Sequence, residues 1–174
     1  MSEQFSHRKA RNFILFGGCV LFWIIIDRIS KTYLESNFKP GQVVCSNVLG
    51  LFQFDLLHNK GAAWGLFPGG VMIFALIAIV ICLVVCFFVF KYASEMSSLE
   101  IVGLGLLVAG GIANCIDRLF YGYVVDFITP TFIDFPTFNI ADIGVTCGII
   151  LVAIGYIVRS NKTSSDSSLD KKEG

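Results

Sequence analysis

The chain has 174 residues, a length typical of one domain, and 13 basic residues balance 13 acidic ones. Hydrophobic residues make up 55% of it and charged residues 15%, with a mean hydropathy of +0.76. This composition excludes intrinsic disorder, a basic nucleic-acid-binding domain and an ordinary water-soluble enzyme, and it indicates a small polytopic membrane protein.

The expected fold is all-α and polytopic, with four transmembrane helices, a small extracytoplasmic β-rich cradle and a short interfacial helix. Four uncharged apolar runs carry it: Phe13 to Ile26, Val71 to Phe90, Ile101 to Ile116 and Ile143 to Val158. They predict spans at about residues 13–33, 70–90, 100–118 and 140–158, within a single membrane-embedded unit covering 1–158. The first run follows Arg8, Lys9 and Arg11, as a signal peptide would. No small-x-small cleavage site follows it, and Asp27 and Arg28 come instead, so it reads as a retained span. Between the first two spans, Val43, Val44, Val48, Leu51, Phe52, Phe54, Leu56 and Leu57, interrupted by Asn47 and Gly50, predict short strands in a cradle at about 39–67. Trp64, followed by Leu66, Phe67 and Pro68, reads as an amphipathic interfacial element. The stretch Phe127 to Ala141, with Pro130 and Pro136, reads as a loop, and the polar tail 159–174 as disordered and cytoplasmic.

With four spans, the N-terminus, the Lys91–Glu100 connection and the tail share one side. These segments carry Arg8, Lys9, Arg11, Lys91, Arg159, Lys162, Lys171 and Lys172, which places both termini in the cytoplasm. Cys19, Cys45, Cys82, Cys86, Cys115 and Cys147 contain no Cys-x-x-Cys pair or zinc-type spacing, and most sit in apolar runs as small hydrophobes. His7 and His58 are far apart, so neither a His-based metal site nor a Ser/His site is expected, and no cofactor is expected.

Three spans fall short of the roughly 20 residues needed to cross the hydrocarbon, and each has an Asp at its outer end. At about 1.5 Å per residue, Arg11 to Asp27 rises about 24 Å, and Glu100 to Asp117 and Arg159 to Asp142 each about 25 Å. Three carboxylates therefore share one depth, where each costs on the order of 2 kcal/mol or more unless it is paired, hydrated or functional. Asn114, Asp117 and Arg118 add polar groups on one helix face. Asn139 and Asp142 also suit the first turn of a helix, so capping accounts for part of the pattern. Arg118 is expected to pair with an Asp and to steady the segment carrying Asp126. The whole set predicts a hydrated site opening outward. On this reading alone Asp27, Asp117, Asp126 and Asp142 all remain possible members of a carboxylate pair.

Four blocks carry most of the non-apolar information. They are Asp27-Arg28-Ile29-Ser30-Lys31, the run His58-Asn59-Lys60-Gly61-Ala62-Ala63-Trp64-Gly65, the run Asn114-Cys115-Ile116-Asp117-Arg118 continuing to Val124-Val125-Asp126-Phe127, and Phe138-Asn139-Ile140-Ala141-Asp142. In this order, over residues 13–158, the chain closely resembles the lipoprotein signal peptidases, also called signal peptidase II. The resemblance implies that Asp126 and Asp142 are the catalytic aspartates. It implies that Asp27, Asn59, Asn114, Asp117, Arg118 and Asn139 shape and support the site and that Lys31 is a further recurrent position. Gly61, where backbone can approach closely, and Trp64 complete the set expected to support the site or bind substrate. Ala113, Arg28 and Ile143 depart from the family's usual Gly, Gln and small Ser.

The resemblance further implies an intramembrane aspartic endopeptidase in the bacterial inner membrane, its active site near the outer leaflet. Its partners would be a diacylglyceryl-modified prolipoprotein, cut just before the lipidated cysteine, and membrane lipid, with no nucleic acid. One chain holds every implied residue, so a monomer suffices. Two carboxylates sharing one proton can activate water and protonate a leaving amine without a metal. The competing readings are a proton- or cation-coupled transporter, since intramembrane carboxylates also mark ion paths, and a non-catalytic scaffold.

Overall fold

The computed structural model describes the backbone of residues 2–61 and 69–173, and side chains for 6–61 and 69–162. Trp64 and the interfacial element expected around it lie outside the described residues. Helix α1 spans Ser2–Asn37, strands β1 and β2 span Val43–Val48 and Phe52–Asn59, and helix α2 spans Val71–Tyr92. Helix α3 (Ser98–Phe120), strand β3 (Val124–Pro130) and helix α4 (Ile140–Glu173) complete the order. Four helical stretches are long and apolar enough to cross a membrane: Ser6–Asn37, Val71–Tyr92, Ser98–Phe120 and Ile140–Lys162. The α4 backbone is helical through Glu173, where the sequence reading expected a disordered tail from 159, and the side chains from 163 onward lie outside the described residues.

Helix α3 is the centre of the bundle, and its burial follows from its small residues. A Cβ added to Gly103 would sit 2.7 Å from the Gly148 carbonyl oxygen, and one on Gly148 would sit 2.6 Å from the Gly103 oxygen. The α3 and α4 backbones can therefore approach only because neither position carries a side chain. At the start of α3, Ser97 and Glu100 form a capping box, and the Glu100 carboxylate also takes hydrogen bonds from the Arg159 guanidinium of α4 at 3.0 Å. Nearby, fully buried Asn12 donates from Nδ2 to the Ala93 carbonyl at 2.7 Å, tying α1 to the α2–α3 turn. At the other end of the bundle, Trp23 Nε1 donates to the Ile140 carbonyl at 3.0 Å and seats the first turn of α4 against α1.

The sheet has the order β1-β2-β3, antiparallel throughout. Leu49 and Gly50 both have positive φ, 57° and 72°, which makes the β1–β2 connection a primed hairpin turn matched to strand twist. Asn47 Oδ1 accepts the Gly50 N–H at 2.7 Å and supports that turn. Strand β3 corrects the sequence expectation, which placed a loop from Phe127 onward. The run Val124-Val125-Asp126-Phe127-Ile128-Thr129 is rich in β-branched and aromatic residues and pairs with β2 from Phe52↔Pro130 to Asn59↔Val124. Pro130 only closes the strand, where no ladder N–H is needed. The irregular segment is thus limited to the stretch from Thr131 to Asn139, and it is itself stitched back by a bridge between Ile128 and Phe138. One face of the sheet packs on the end of α1, with Leu34, Leu56, Val125 and Phe127 forming a buried cluster.

Candidate active site

Asp126 reaches the site from the middle of β3 and is 2% exposed. Its Oδ2 accepts from Asn59 Nδ2 at 2.8 Å and its Oδ1 from Asn139 Nδ2 at 2.7 Å. Asp142 arrives from the first turn of α4. Asn139 precedes that helix, and the two residues cap it reciprocally: the Asn139 N–H donates to Asp142 Oδ2 at 3.1 Å, and the Asp142 N–H donates to Asn139 Oδ1 at 3.0 Å. Helix capping and site building therefore use the same two side chains. Asp142 Oδ1 also accepts from Asn114 Nδ2 at 2.8 Å. Asn139 thus touches both carboxylates, with its side-chain amide on Asp126 and its backbone N–H on Asp142.

Behind this layer lies a charge cluster. Lys31 Nζ is 2.9 Å from Asp27 Oδ2, 2.8 Å from Asp117 Oδ2 and 3.0 Å from Asn114 Oδ1. Asp27 Oδ1 accepts the Ala141 N–H at 3.0 Å, and the Val125 N–H reaches Asp117 Oδ2 at 3.4 Å. Asp117 also pairs with Arg28. Two acids and two bases cancel, as buried charges must.

The pairing expected for Arg118 is not what forms. Arg118 and Asp117 are consecutive, so they leave the helix in directions about 100° apart, and Arg28 on α1 faces Asp117 instead. The Arg118 guanidinium donates to the Asn114 carbonyl at 3.3 Å and lies 5.8 Å from the Phe74 ring centre. Among the described residues no carboxylate lies within ion-pair distance of it.

Asp126 and Asp142 open onto a cavity of about 430 Å³. Asn59, Gly61, Asn114 and Arg118 line its polar end, and Val124, the Phe135–Phe138 segment, Ile143, Thr146 and Cys147 complete its walls. Asp27 and Asp117 do not line it. Burial in this setting, reinforced by the Asp142 charge, pushes the Asp126 carboxyl up to about 7. The hydrogen bonds from Asn59 and Asn139 and the charge of Lys31 pull the other way.

The structure brings together every site residue expected from the sequence that falls among the described residues. Sequence reasoning missed three features. Arg28 is the partner of Asp117, a role its place one residue after Asp27 did not reveal. Thr146 and Cys147 form a wall one turn below Asp142, at the i+4 and i+5 positions. Thr129 ties the Phe135–Phe138 wall to the sheet through hydroxyl contacts with Asp55 and, at 2.8 Å, Thr137.

The family model described as signal peptidase (SPase) II matches residues 19–158. A protein named lipoprotein signal peptidase from Lactobacillus johnsonii is 42% identical over 144 residues, covering 82% of this chain and 91% of that one. Another of the same name from Clostridium novyi is 36% identical over 146 residues, covering 82% and 97%. A solved structure described as a bacterial membrane enzyme, at 2.3 Å resolution, superposes with a TM-score of 0.76 at 32% identity, covering 84% of this chain and 90% of that one.

Proposed function

The chain belongs to the signal peptidase II family, and from that premise we propose that Asp126 and Asp142 are the catalytic pair of an aspartic endopeptidase. It is a multi-pass bacterial membrane protease that removes signal peptides from prolipoproteins. One observation carries the assignment of the pair: Asn139 bonds both carboxylates at the rim of one cavity, whereas Lys31 holds both Asp27 and Asp117 behind it.

In this reading the pair shares one proton. The ionised carboxylate takes a proton from water, and the protonated one hydrogen-bonds the scissile carbonyl. A carboxyl then passes a proton to the departing amine, and the pair returns to its starting state. An Asp126 carboxyl held near 7 keeps that proton available at neutral pH, with apparent pKa values that belong to the pair. Arg118 brings a positive charge to the cavity wall and offsets the charge of the pair. The apolar walls suit the segment of a signal helix next to a diacylglyceryl-cysteine, and cleavage falls before that residue. The sheet faces the outside, the termini face the cytoplasm, and one chain acts as a monomer against substrate held in the lipid. A cation-coupled transporter, the other reading of intramembrane carboxylates, is not supported: the matched relatives are peptidases.

The test is a gel-shift assay with purified protein, a diacylglyceryl-modified prolipoprotein and the variants Asp126→Asn and Asp142→Asn. Each variant should lose about 10³-fold in rate while remaining folded. Cleavage by either one near the wild-type rate would remove that residue from the pair.

A further inference from the structure

Alternate residues of a strand face opposite sides of a sheet. Asn59, Val124 and Asp126 share the face that lines the cavity. His58, Tyr123 and Val125 share the other face, which lies against the end of α1. There His58 Nε2 is 2.7 Å from Glu35 Oε1 of α1, and the His58 ring stacks on Tyr123 with centres 3.9 Å apart and planes 15° apart. Tyr121 stacks in turn on Tyr123 at 5.9 Å. His58 and Tyr123 are diagonal neighbours across β2 and β3, as Asn59 and Asp126 are on the opposite face.

The position of these contacts gives them a consequence for the site. His58 is bonded directly to Asn59, the last residue of β2 and a donor to Asp126. Tyr123 immediately precedes β3, the strand that delivers Asp126, just after Gly122 turns the chain at φ 74°. Strand ends fray unless side chains hold them. We infer that His58, held by Glu35 and stacked on Tyr123, is a positioning residue for peptide cleavage: it locks the ends of β2 and β3 against α1 and so fixes the Asn59–Asp126 hydrogen bond. The inference rests on the reading of Asp126 as catalytic.

The charged surroundings allow a specific test. Glu35 from α1 and Tyr123 face His58, and Arg28, Lys31 and Tyr121 border the same small cavity of about 120 Å³, both cations being held by acids of the buried cluster. Asp126 faces Asp142 from α4, Arg118 from α3 and Lys31 from α1, besides the neutral Asn59 and Asn139. The Asn59 donor favours ionised Asp126. Slackening that donor should move the Asp126 titration upward.

The full chain in lipid nanodiscs would be compared with His58→Ala, Glu35→Ala and Glu35→Gln. Readouts are kcat and KM on a diacylglyceryl-modified prolipoprotein, thermal unfolding, and carboxyl carbon NMR titration of Asp126 without substrate, its signal assigned by its loss in Asp126→Asn. His58→Ala and Glu35→Ala should lower kcat about tenfold with KM unchanged, as a small misplacement of a reacting group does. Both should raise the Asp126 titration midpoint. Glu35→Gln keeps an acceptor oxygen toward His58 and should restore kcat. An unchanged kcat and midpoint in His58→Ala overturns the inference. So does a loss that follows unfolding and is not rescued by Glu35→Gln. If Asp126→Asn still cleaves, the catalytic reading fails, while a shifted midpoint in His58→Ala still reports the clamp. An inactive Asp126→Asn with an unmoved midpoint in His58→Ala makes the clamp alone wrong.

Discussion

Asp27, Arg28, Lys31 and Asp117 place two negative and two positive groups together, with Asp27 and Asp117 fully buried and Lys31 1% exposed. Lys31 bridges both acids and also reaches Asn114, so it links the cluster to the layer that holds Asp142. Removing it strands a buried negative charge, which costs about 3–5 kcal/mol. Lys31→Met should therefore lower the thermal midpoint strongly. Asp27→Asn in the same background should recover part of the loss, because it restores charge balance while its side-chain oxygen can still accept the Ala141 N–H. Differential scanning calorimetry in detergent checks both, and an additive loss in the double variant would show that charge balance is not the cause. At this scale the sequence was most informative. Asp27, Asp117 and Asp142 stood out because carboxylates in apolar spans are costly. It did not separate the two kinds of carboxylate, since a buried ion pair and a catalytic acid share the same residue type.

Helices α3 and α4 carry Asn114 and Asp142, and the bond between those side chains depends on how closely the two helices cross. Gly103 and Gly148 set that distance, since a Cβ on either meets backbone atoms of the facing helix at under 3 Å. Gly148→Ala should cost about 1–3 kcal/mol by overpacking and should also reduce cleavage, because the helices must part beneath the site. Thermal unfolding and the gel-shift assay on the same preparation check this, and a stable, fully active variant would contradict it. The helices were legible from their apolar runs, with ends within a few residues at α2 and α3. Strand β3 was not, because Pro130 at its end, Pro136 beyond it and its short apolar run invite a loop reading. Pairing with β2 decides the matter, and that partner lies about 70 residues away in sequence.

For the whole molecule, the sheet sits at one end of the four-helix bundle, and the Glu100–Arg159 and Asn12 contacts close the other. Cys45 is exposed on β1, so it can report which side of the membrane the sheet occupies. In a variant keeping Cys45 alone, a membrane-impermeant maleimide should label intact cells. Labelling that appears only after cell lysis would reverse the proposed orientation. The sequence by itself determined the span count and the family, since these depend on hydropathy and local motifs that are read one segment at a time. Only the tertiary structure decided that Asp126 and Asp142 share a cavity and meet through Asn139, that Arg28 rather than Arg118 neutralises Asp117, and that Val124–Pro130 is a strand. Each of these depends on which distant segments face one another, and helix packing and strand register set that, not any local pattern of residues.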